Sequence, residues 1–320
     1  MILRYLSLLA ALPALVLLNA CGGGGESNSG PPASVALNSS NGQYAADAAM
    51  DVVNSSDTSS SIGVFNAIDS QSGGKYGLME LTRDMLQHSH IGQSNTQPGQ
   101  AVVQSGFCDN EPDGYIDVTT SGTNSGSAMF SNCQLGDVYI NGGMSLIISS
   151  DTAVSTVGSM TFNNLSASDI AGVLFTINGS INFTETSNSM TISGNVLSIS
   201  MGGEVMSMFN FNIYTSSSAG VDATIIYNLT VSSNVMGGSI TVSTSPSEGG
   251  ATIMQNVGDP YPYAGSLVLI GANNTRVRVT AMGDGSPTGI VRVEYDIDGM
   301  PNYETFEDLT WAELDAVGGN

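Results

Sequence analysis

The chain has 320 residues, of which 41% are hydrophobic and 11% are charged, so it can bury a sizeable core and is not disordered. Its 28 acidic residues against 6 basic residues give a net charge of −22. Nucleic acid is excluded as a partner, because displacing counterions from phosphates requires a groove lined with basic residues.

The first twenty residues have the three regions of a secretory signal. A basic start ends at Arg4, an uncharged apolar run extends from Tyr5 to Leu18, and the small residue Ala20 precedes a cysteine. The apolar run is too short to span a bilayer as a helix, which requires roughly 18 to 20 residues. Residues 1–20 are therefore predicted to be a signal peptide that is removed on export.

The cleavage site, Leu18-Asn19-Ala20-Cys21, resembles the lipobox of bacterial lipoproteins. The resemblance implies that Cys21 carries acyl chains such as palmitate, and two or more chains anchor a protein stably in a membrane. The next residue is Gly22 and not the Asp that retains such lipoproteins in the inner membrane. A lipid-anchored envelope protein at the outer membrane is thus implied. The alternative is an ordinary signal peptide with an incidental cysteine.

Removal of residues 1–20 leaves 5 basic and 28 acidic residues, a net charge of −23. Ser, Thr, Asn and 39 Gly take the place of the missing charged residues, which favours strands and turns over long helices. Divalent cations or sugars suit such a protein better than polyanions as ligands.

The N-terminal part of the exported chain has two compositions. Residues 21–43 are mostly Gly, Ser, Asn and Pro, which predicts a flexible tether. Residues 44–95 are predicted to be a short helical segment with one helix from about Ala45 to Val53. The spacing of Leu78, Leu81 and Met85 predicts a second helix near 77–88 that packs on a sheet.

From about residue 101 the hydrophobic period changes to two, which is typical of antiparallel strands with one apolar and one wet face. About fifteen strands are expected, with residues 96–260 as an antiparallel β domain. Tight turns are predicted at four Asn-Gly or Gly-Gly pairs, whose residues tolerate positive φ. These pairs are Asn141-Gly142, Asn178-Gly179, Gly202-Gly203 and Gly237-Gly238.

The predicted fold is mainly β, because a sheet with one apolar face must cover that face. A large curled antiparallel sheet or incomplete barrel is expected, with one or two short N-terminal helices packed on the apolar face. Residues 261–320 are predicted to form a C-terminal β segment with an acidic turn and a terminal helix or tail.

Two cysteines remain after Cys21, and in an oxidising compartment an even pair predicts a Cys108–Cys133 disulfide rather than two free thiols. In a plain three-strand meander the two cysteines would lie about 9.6 Å apart, beyond the ~7 Å limit between bridged Cα atoms. Either one cysteine lies in a turn, or the strand order is not a meander.

Motifs for catalysis are weak. Ser72-Gly73-Gly74-Lys75 matches S-x-x-K, but the companion K-T-G motif cannot exist because Lys75 is the only lysine. The only histidines, His88 and His90, diverge on a helix and are interpreted as solvated residues at its end. No catalytic residue is predicted.

The sharpest pattern of oxygen ligands lies near the C-terminus. Its carboxylates stand at positions 1, 3, 9 and 12 of an EF-hand-type calcium loop, with an Asn at position 7. Met300 and Pro301 occupy positions where such a loop needs an acid and a glycine. No cofactor is expected, and weak calcium binding competes with a simple hairpin turn at Asp298-Gly299. The metal candidates are Asp296, Asp298, Asn302, Glu304 and Glu307.

A second acidic cluster follows Cys108 in the sequence. It contains Asp109, Glu111 and Asp113, with Asp113 directly before Gly114. An Asp-Gly pair favours a tight turn, so this cluster is interpreted as a turn and not as a metal site.

The last sixty residues contain a recurring set of motifs: Pro262-Tyr263-Ala264-Gly265-Ser266-Leu267, Gly271-Ala272-Asn273-Asn274, Asp296-Ile297-Asp298-Gly299 and Trp311-Ala312-Glu313-Leu314. With the Cys pair and the Phe130-Ser131-Asn132-Cys133 strand end, they resemble uncharacterised proteobacterial β-rich lipoproteins. In that family the acidic turn tends to run D-x-D-G-D-G, and Met300-Pro301 departs from it. The resemblance implies a lipoprotein and supplies no activity.

Two classes of function remain from the sequence. The first is a non-catalytic envelope lipoprotein, structural or binding, whose face of Ser, Thr and Asn takes a glycan or an envelope protein. The second is a carrier that holds a lipid or other apolar ligand in the curled sheet. An enzyme is the least favoured class.

Overall fold

The computed structural model describes most of the chain after residue 29. The described residues are 30–55, 101–103, 108–110, 113–120, 125–135, 138–169, 172–201, 204–300 and 302–318. The signal peptide, Cys21, the second predicted helix near 77–88, the motif at Ser72–Lys75 and both histidines lie outside them. From Pro31 to Asn320 the chain is one compact unit.

The described residues form two α-helices and fifteen strands, in agreement with the predicted strand number. In chain order they are α1 (Gly42–Ser55), β1 (Ala101–Val103), β2 (Tyr115–Thr120), β3 (Ser125–Leu135), β4 (Val138–Asp151), β5 (Ser155–Asp169), β6 (Gly172–Thr186), β7 (Ser189–Met201), β8 (Glu204–Ser218), β9 (Val221–Ser233), β10 (Gly238–Ser243), β11 (Ala251–Asn256), β12 (Ala264–Ile270), β13 (Arg276–Ala281), β14 (Ile290–Asp296), β15 (Thr305–Thr310) and α2 (Trp311–Gly318).

All fifteen strands belong to one antiparallel sheet that does not close into a barrel. Neighbours in the sequence are neighbours in the sheet, with one exception. The short strands β10 and β11 both pair with β9 on one side and with β12 on the other, so together they fill a single position between these strands. The prediction of a large antiparallel sheet is confirmed.

Strands β4 to β9 have one apolar and one polar face, as the period of two predicts. Their inward side chains join a continuous apolar core, and the outward side chains between them are mostly Ser, Thr and Asn. The most deeply buried inward residues of these strands include Met160, Leu165, Phe175, Ile177, Ile181, Ile226 and Leu229.

Helix α1 packs on the apolar face of β12 to β14, which confirms the first predicted helix. Ala45, Ala46 and Ala49 are fully buried, because their small side chains let the helix backbone approach the sheet closely. At the first turn Gly42 lies so near Tyr295 and Val277 that a Cβ atom would meet their side chains at 2.8 and 2.9 Å. A larger residue at position 42 would push the helix off the sheet.

A polar contact ties α1 to the long strands. The Tyr44 hydroxyl donates to Glu204 at the start of β8 and lies 3.1 Å from the Ser233 hydroxyl at the end of β9. Burial and the hydrogen bond to Glu204 raise the pKa of Tyr44 to about 12. The phenol therefore remains neutral at physiological pH and can act as a donor.

Helix α2 is the predicted terminal helix. Thr310 and Glu313 form a capping box at its start: the Glu313 N–H donates to Thr310 Oγ1 at 3.1 Å, and Glu313 Oε2 accepts the Thr310 N–H at 2.8 Å. Trp311 and Leu314 are buried, and the Trp311 ring stacks on Tyr261 with centroids 5.4 Å apart. Neither helix of the described part has the length and apolar character needed to cross a membrane.

The folded body begins before residue 43, the predicted end of the tether. The Val35 N–H donates to Ser239 O at 3.0 Å, and the Val35 carbonyl accepts the Ala272 N–H at 2.8 Å. The Leu37 N–H donates to Thr275 Oγ1 at 2.8 Å, and the Leu37 side chain is buried. Residues 33–37 thus belong to the folded body, because their backbone groups find partners beside β10 and after β12.

Two of the four predicted turns are wrong. Asn141-Gly142 lies inside β4 and Asn178-Gly179 lies inside β6. Gly237 does lie in the turn between β9 and β10, with φ at +71°. Residues 202–203 stand between β7 and β8, outside the described residues.

The two misassigned pairs lie opposite β-bulges. Asn132 in β3 and Asn164 in β5 have φ of 47° and 48°, and each sits where its strand has one extra residue. The Asn132 N–H donates to Asn141 Oδ1, and the Asn164 N–H donates to Asn178 Oδ1, both at 2.7 Å. A third such Asn, Asn210, lies in β8. Bulges bend a strand and increase its twist, so these residues shape the sheet rather than end its strands.

The Cys108–Cys133 disulfide is present, with a Cα–Cα distance of 5.1 Å. Strands β1, β2 and β3 do form a meander, and Cys108 lies outside them in the connection between β1 and β2. The first of the two predicted alternatives, a cysteine in a turn, is therefore confirmed. Cys133 occupies β3 directly after the bulge at Asn132.

Candidate functional site

The acidic turn follows β14, whose last residue is Asp296. The turn passes through Gly299, where φ is +75°. The Gly299 N–H donates to Asp296 Oδ1 at 2.9 Å, and the Met300 N–H donates to Asp298 Oδ1 at 2.8 Å. The predicted turn at Asp298-Gly299 is confirmed, because only a residue tolerant of positive φ fits this position.

Three carboxylates converge at this turn. One oxygen from each of Asp296, Asp298 and Glu304 lies within 4.8 Å of one from each of the others. Glu304 Oε2 also accepts the Ile297 N–H at 3.0 Å, which holds the glutamate against the turn. Asp298 and Glu304 are exposed, whereas Asp296 is 1% exposed. The same kind of acidic group occurs nowhere else in the described residues.

Asp296 has the most unusual environment of the three. Burial raises the pKa of its carboxyl group, and the negative charges of Glu304 and Asp298 raise it further, whereas the Gly299 N–H and Arg276 lower it. Within the described part of the chain, Asp296 Oδ2 is buried without a hydrogen-bond partner. A buried oxygen of this kind is rare in folded proteins and requires an explanation.

The other two predicted metal ligands do not join this group. Glu307 Oε2 accepts a hydrogen bond from Gln43 Nε2 of α1 at 2.8 Å. In β15, Glu307 pairs with the buried Val293, so its side chain lies on the helix-covered face of the sheet. Asn302 is exposed, and its backbone N–H donates to Met300 O at 2.7 Å. The structure thus groups three of the five predicted metal ligands, and Pro301 lies outside the described residues.

The second acidic cluster is a turn, as expected. The N–H groups of Asp113 and Gly114 both donate to Asn110 O, at 3.0 and 3.3 Å. The Asn110 side chain donates to Asn132 O at 2.9 Å and accepts the Gln134 N–H at 3.0 Å. This connection is thus fixed to the β3 bulge beside Cys133.

A second candidate site is the outward face of β4 to β8, here called the hydroxyl–amide face. Exposed apolar residues such as Ile147 and Val205 lie on this face, but most of its side chains are uncharged hydroxyls and amides that both donate and accept hydrogen bonds. They are Ser145, Ser159, Thr161, Ser166, Thr176, Ser180, Asn182, Thr184, Thr191, Ser193, Ser198, Ser200, Ser207 and Asn212.

The register of the strands arranges this face in rows. Ser159, Asn182, Ser193 and Asn212 are direct neighbours on four consecutive strands. Adjacent strands lie about 4.8 Å apart, so such a row places a polar group at each step across the sheet. Ser198 and Ser207 in another row are joined by a 2.7 Å hydrogen bond between their hydroxyls. The face is a regular array of neutral donors and acceptors.

Charges are kept away from this array. No Arg or Lys occurs between Arg83 and Arg276 in the sequence. The acidic residues of β4, β6 and β8 stand at or next to strand ends, as Asp151, Glu185 and Glu204 do. The chemistry of the face is therefore that of hydroxyl and amide groups.

Comparison with known protein families finds no family model that matches the chain, and comparisons with curated proteins and with solved structures find no significant match. The resemblance to proteobacterial lipoproteins therefore stays a prediction. The chemistry of these two sites is what remains to indicate a function.

Proposed function

We propose that the protein is a non-catalytic lipoprotein of the cell envelope that binds a neutral glycan on the hydroxyl–amide face. The observation that carries the proposal is the array of Ser, Thr and Asn that covers most of the outward face of β4 to β8, with apolar side chains such as Ile147 and Val205 among them. Sugar hydroxyls, like these side chains, donate and accept hydrogen bonds at once. An uncharged array favours a neutral ligand over an ionic one.

The proposed lipid anchor rests on the lipobox resemblance at Cys21 and on the predicted signal peptide before it. The Cys108–Cys133 disulfide supports export, because disulfides persist in oxidising compartments. Lipidation is tested with labelled palmitate in the wild type and in Cys21→Ala. Equal labelling of the wild type and the variant would contradict lipidation at Cys21.

The packing of the inward side chains favours a binding surface over an apolar carrier. The inward residues of the long strands belong to the same buried core as those of β12 to β14. A carrier requires an apolar cavity of several hundred Å³, whereas these inward side chains belong to one continuous packed core. The carrier hypothesis therefore has less support than the glycan hypothesis.

The test of glycan binding uses the full chain, purified in detergent, on an array of neutral and acidic oligosaccharides. We expect binding to neutral oligosaccharides such as chitohexaose and at least a tenfold loss in Thr161→Glu, which places a charge in the array. Thr280→Glu, on the outward face of β13, is the matched control and keeps the affinity. Equal binding by Thr161→Glu and the wild type would refute the proposal, as would the absence of any neutral glycan ligand.

A further inference from the structure

We infer that Asp296, Asp298 and Glu304 form a site for a divalent cation, with calcium as the preferred ion. This site is separate from the hydroxyl–amide face and does not depend on the proposed glycan function. The sequence spacing indicated a larger ligand set that also included Asn302 and Glu307. The structure groups three of those five residues at the turn.

The first argument is the distance between the carboxylate oxygens. Calcium binds oxygen at 2.3 to 2.6 Å, so two ligands on opposite sides of one ion are about 4.6 to 5.2 Å apart. Magnesium binds at 2.0 to 2.1 Å and allows only about 4.2 Å across the ion. Oxygens that lie within 4.8 Å of one another are close enough to share one calcium ion.

The second argument is independent of the clustering. Asp296 is almost fully buried, and among the described residues nothing donates a hydrogen bond to its Oδ2. A buried carboxylate oxygen is normally paired, because leaving it without a partner costs its desolvation energy. A cation at the turn would supply the missing partner and neutralise the two exposed carboxylates beside it.

The surrounding charges leave room for a cation. Arg276, the residue opposite Asp296 in β13, binds Glu248 Oε2 at 3.0 Å and Asn274 Oδ1 at 3.2 Å. Its two terminal nitrogens are thereby engaged by other oxygens, whereas its buried Nε has no hydrogen-bond partner among the described residues. Its effect on the pKa of Asp296 is the smallest of the influences on that carboxyl group. Three carboxylates completed by water give a weak site, in the range of about 0.1 to 1 mM typical of extracellular calcium modules.

The test is a calcium titration of the full chain by calorimetry and thermal unfolding. Asp298→Asn and Glu304→Gln are the informative variants, because both residues are exposed and both substitutions preserve side-chain shape. We expect calcium to raise the unfolding temperature of the wild type and to bind either variant at least tenfold more weakly. Glu307→Gln is the matched control and retains wild-type affinity.

Three outcomes would overturn the inference. The first is the absence of heat and of a thermal shift at about 10 mM calcium, well above the expected range. The second is calcium binding by Glu304→Gln with wild-type affinity. If only Glu307→Gln lost calcium affinity, the EF-hand-type loop predicted from the sequence would be supported instead. The third is tighter binding of magnesium than of calcium, which would refute the assignment of the ion.

Discussion

The long-strand part of the sheet, β4 to β9, and its C-terminal part, β12 to β15, build their wet faces from different chemistry. Strands β4 to β9 have 13 to 15 residues, and most outward side chains of β4 to β8 are neutral hydroxyl and amide groups. Strands β12 to β15 have 6 or 7 residues, and arginine–carboxylate pairs lie on theirs. Arg278 bonds Glu294 through two nitrogens at 2.6 and 2.8 Å, and Arg292 bonds Asp308 in the same way.

The difference shows two ways to keep an antiparallel sheet hydrated on one side. Charge pairs fix particular side chains against one another and engage all the arginines of the described part. In an array of hydroxyls, the groups that are not bonded to each other, as Ser198 and Ser207 are, can exchange water for a ligand. We therefore expect the C-terminal part to contribute mainly rigidity and the long-strand part to contribute the binding surface.

The largest expected effect is on the C-terminal part, in Trp311→Ala. Trp311 is 1% exposed and stacks on Tyr261, so its removal opens a large cavity between α2 and the sheet. We expect a loss of about 3 to 5 kcal/mol in the free energy of unfolding, measured by circular dichroism in denaturant. Val317→Ala, at an exposed position of α2, should change it by less than about 0.5 kcal/mol. Equal effects of the two variants would contradict the packing of α2.

The second effect concerns the strands just before the long-strand part, in Cys108→Ala/Cys133→Ala. The disulfide closes a loop with a sequence separation of 25. In the chain-entropy model its loss costs roughly 3.5 kcal/mol, measured as a shift in the denaturation midpoint. Alkylation of the unreduced, denatured wild type serves as control and should label neither cysteine. Quantitative labelling of both cysteines would show that the disulfide is absent.

The third effect tests the bulges that distinguish the long strands. Asn164→Ala places a Cβ-bearing residue with no local hydrogen-bonding side chain at φ 48°, which costs roughly 1 to 2 kcal/mol. Asn164→Gly should have little effect, because glycine adopts this conformation freely. Asn163→Ala, at the exposed neighbouring position, is the control. If Asn164→Gly were as harmful as Asn164→Ala, side-chain contacts and not φ would explain the residue.

The smallest effect is expected from the charge pairs of the C-terminal part. A double-mutant cycle with Arg278→Met and Glu294→Gln should give a coupling of about 1 kcal/mol or less, because the pair is partly exposed. The coupling should decrease as salt is added, since ions screen exposed charges. At 1 M salt the screening length is roughly 3 Å. A coupling energy that stays constant up to this concentration would show that packing of Arg278 over the Tyr303 ring dominates instead.

Much of the fold could be predicted because its signals are local. The period of two gives the strands, the run from Ala45 to Val53 gives α1, and the even cysteine count gives the disulfide. The Asn-Gly pairs could not be placed, because positive φ is needed both in a hairpin turn and opposite a bulge. Their only distinguishing sign is the Phe-x-Asn sequence on the partner strand, at Phe130 and again at Phe162.

The acidic site could be predicted in part. The sequence identified the right turn and all three of its grouped acids, but linear spacing could not exclude Glu307 from the group. That exclusion depends on β15 pairing with β14, which places Glu307 opposite Val293 on the covered face. Glu304 precedes β15 and is free to fold back onto Ile297. The capping box of Thr310 and Glu313 was readable from sequence and would have fixed the start of α2.

The attachment of residues 33–37 has a mechanical consequence for an anchored protein. With a lipid at Cys21, tension on the chain would reach the body at Val35, which is bonded to Ser239 of β10 and to Ala272 after β12. The load would thus enter the interior of the sheet and bypass the terminal strands β1 and β15. Several hydrogen bonds, together with the buried Leu37, must yield before force reaches α1. The body would resist being pulled from its anchor by shear inside the sheet, and its end strands would carry none of that force.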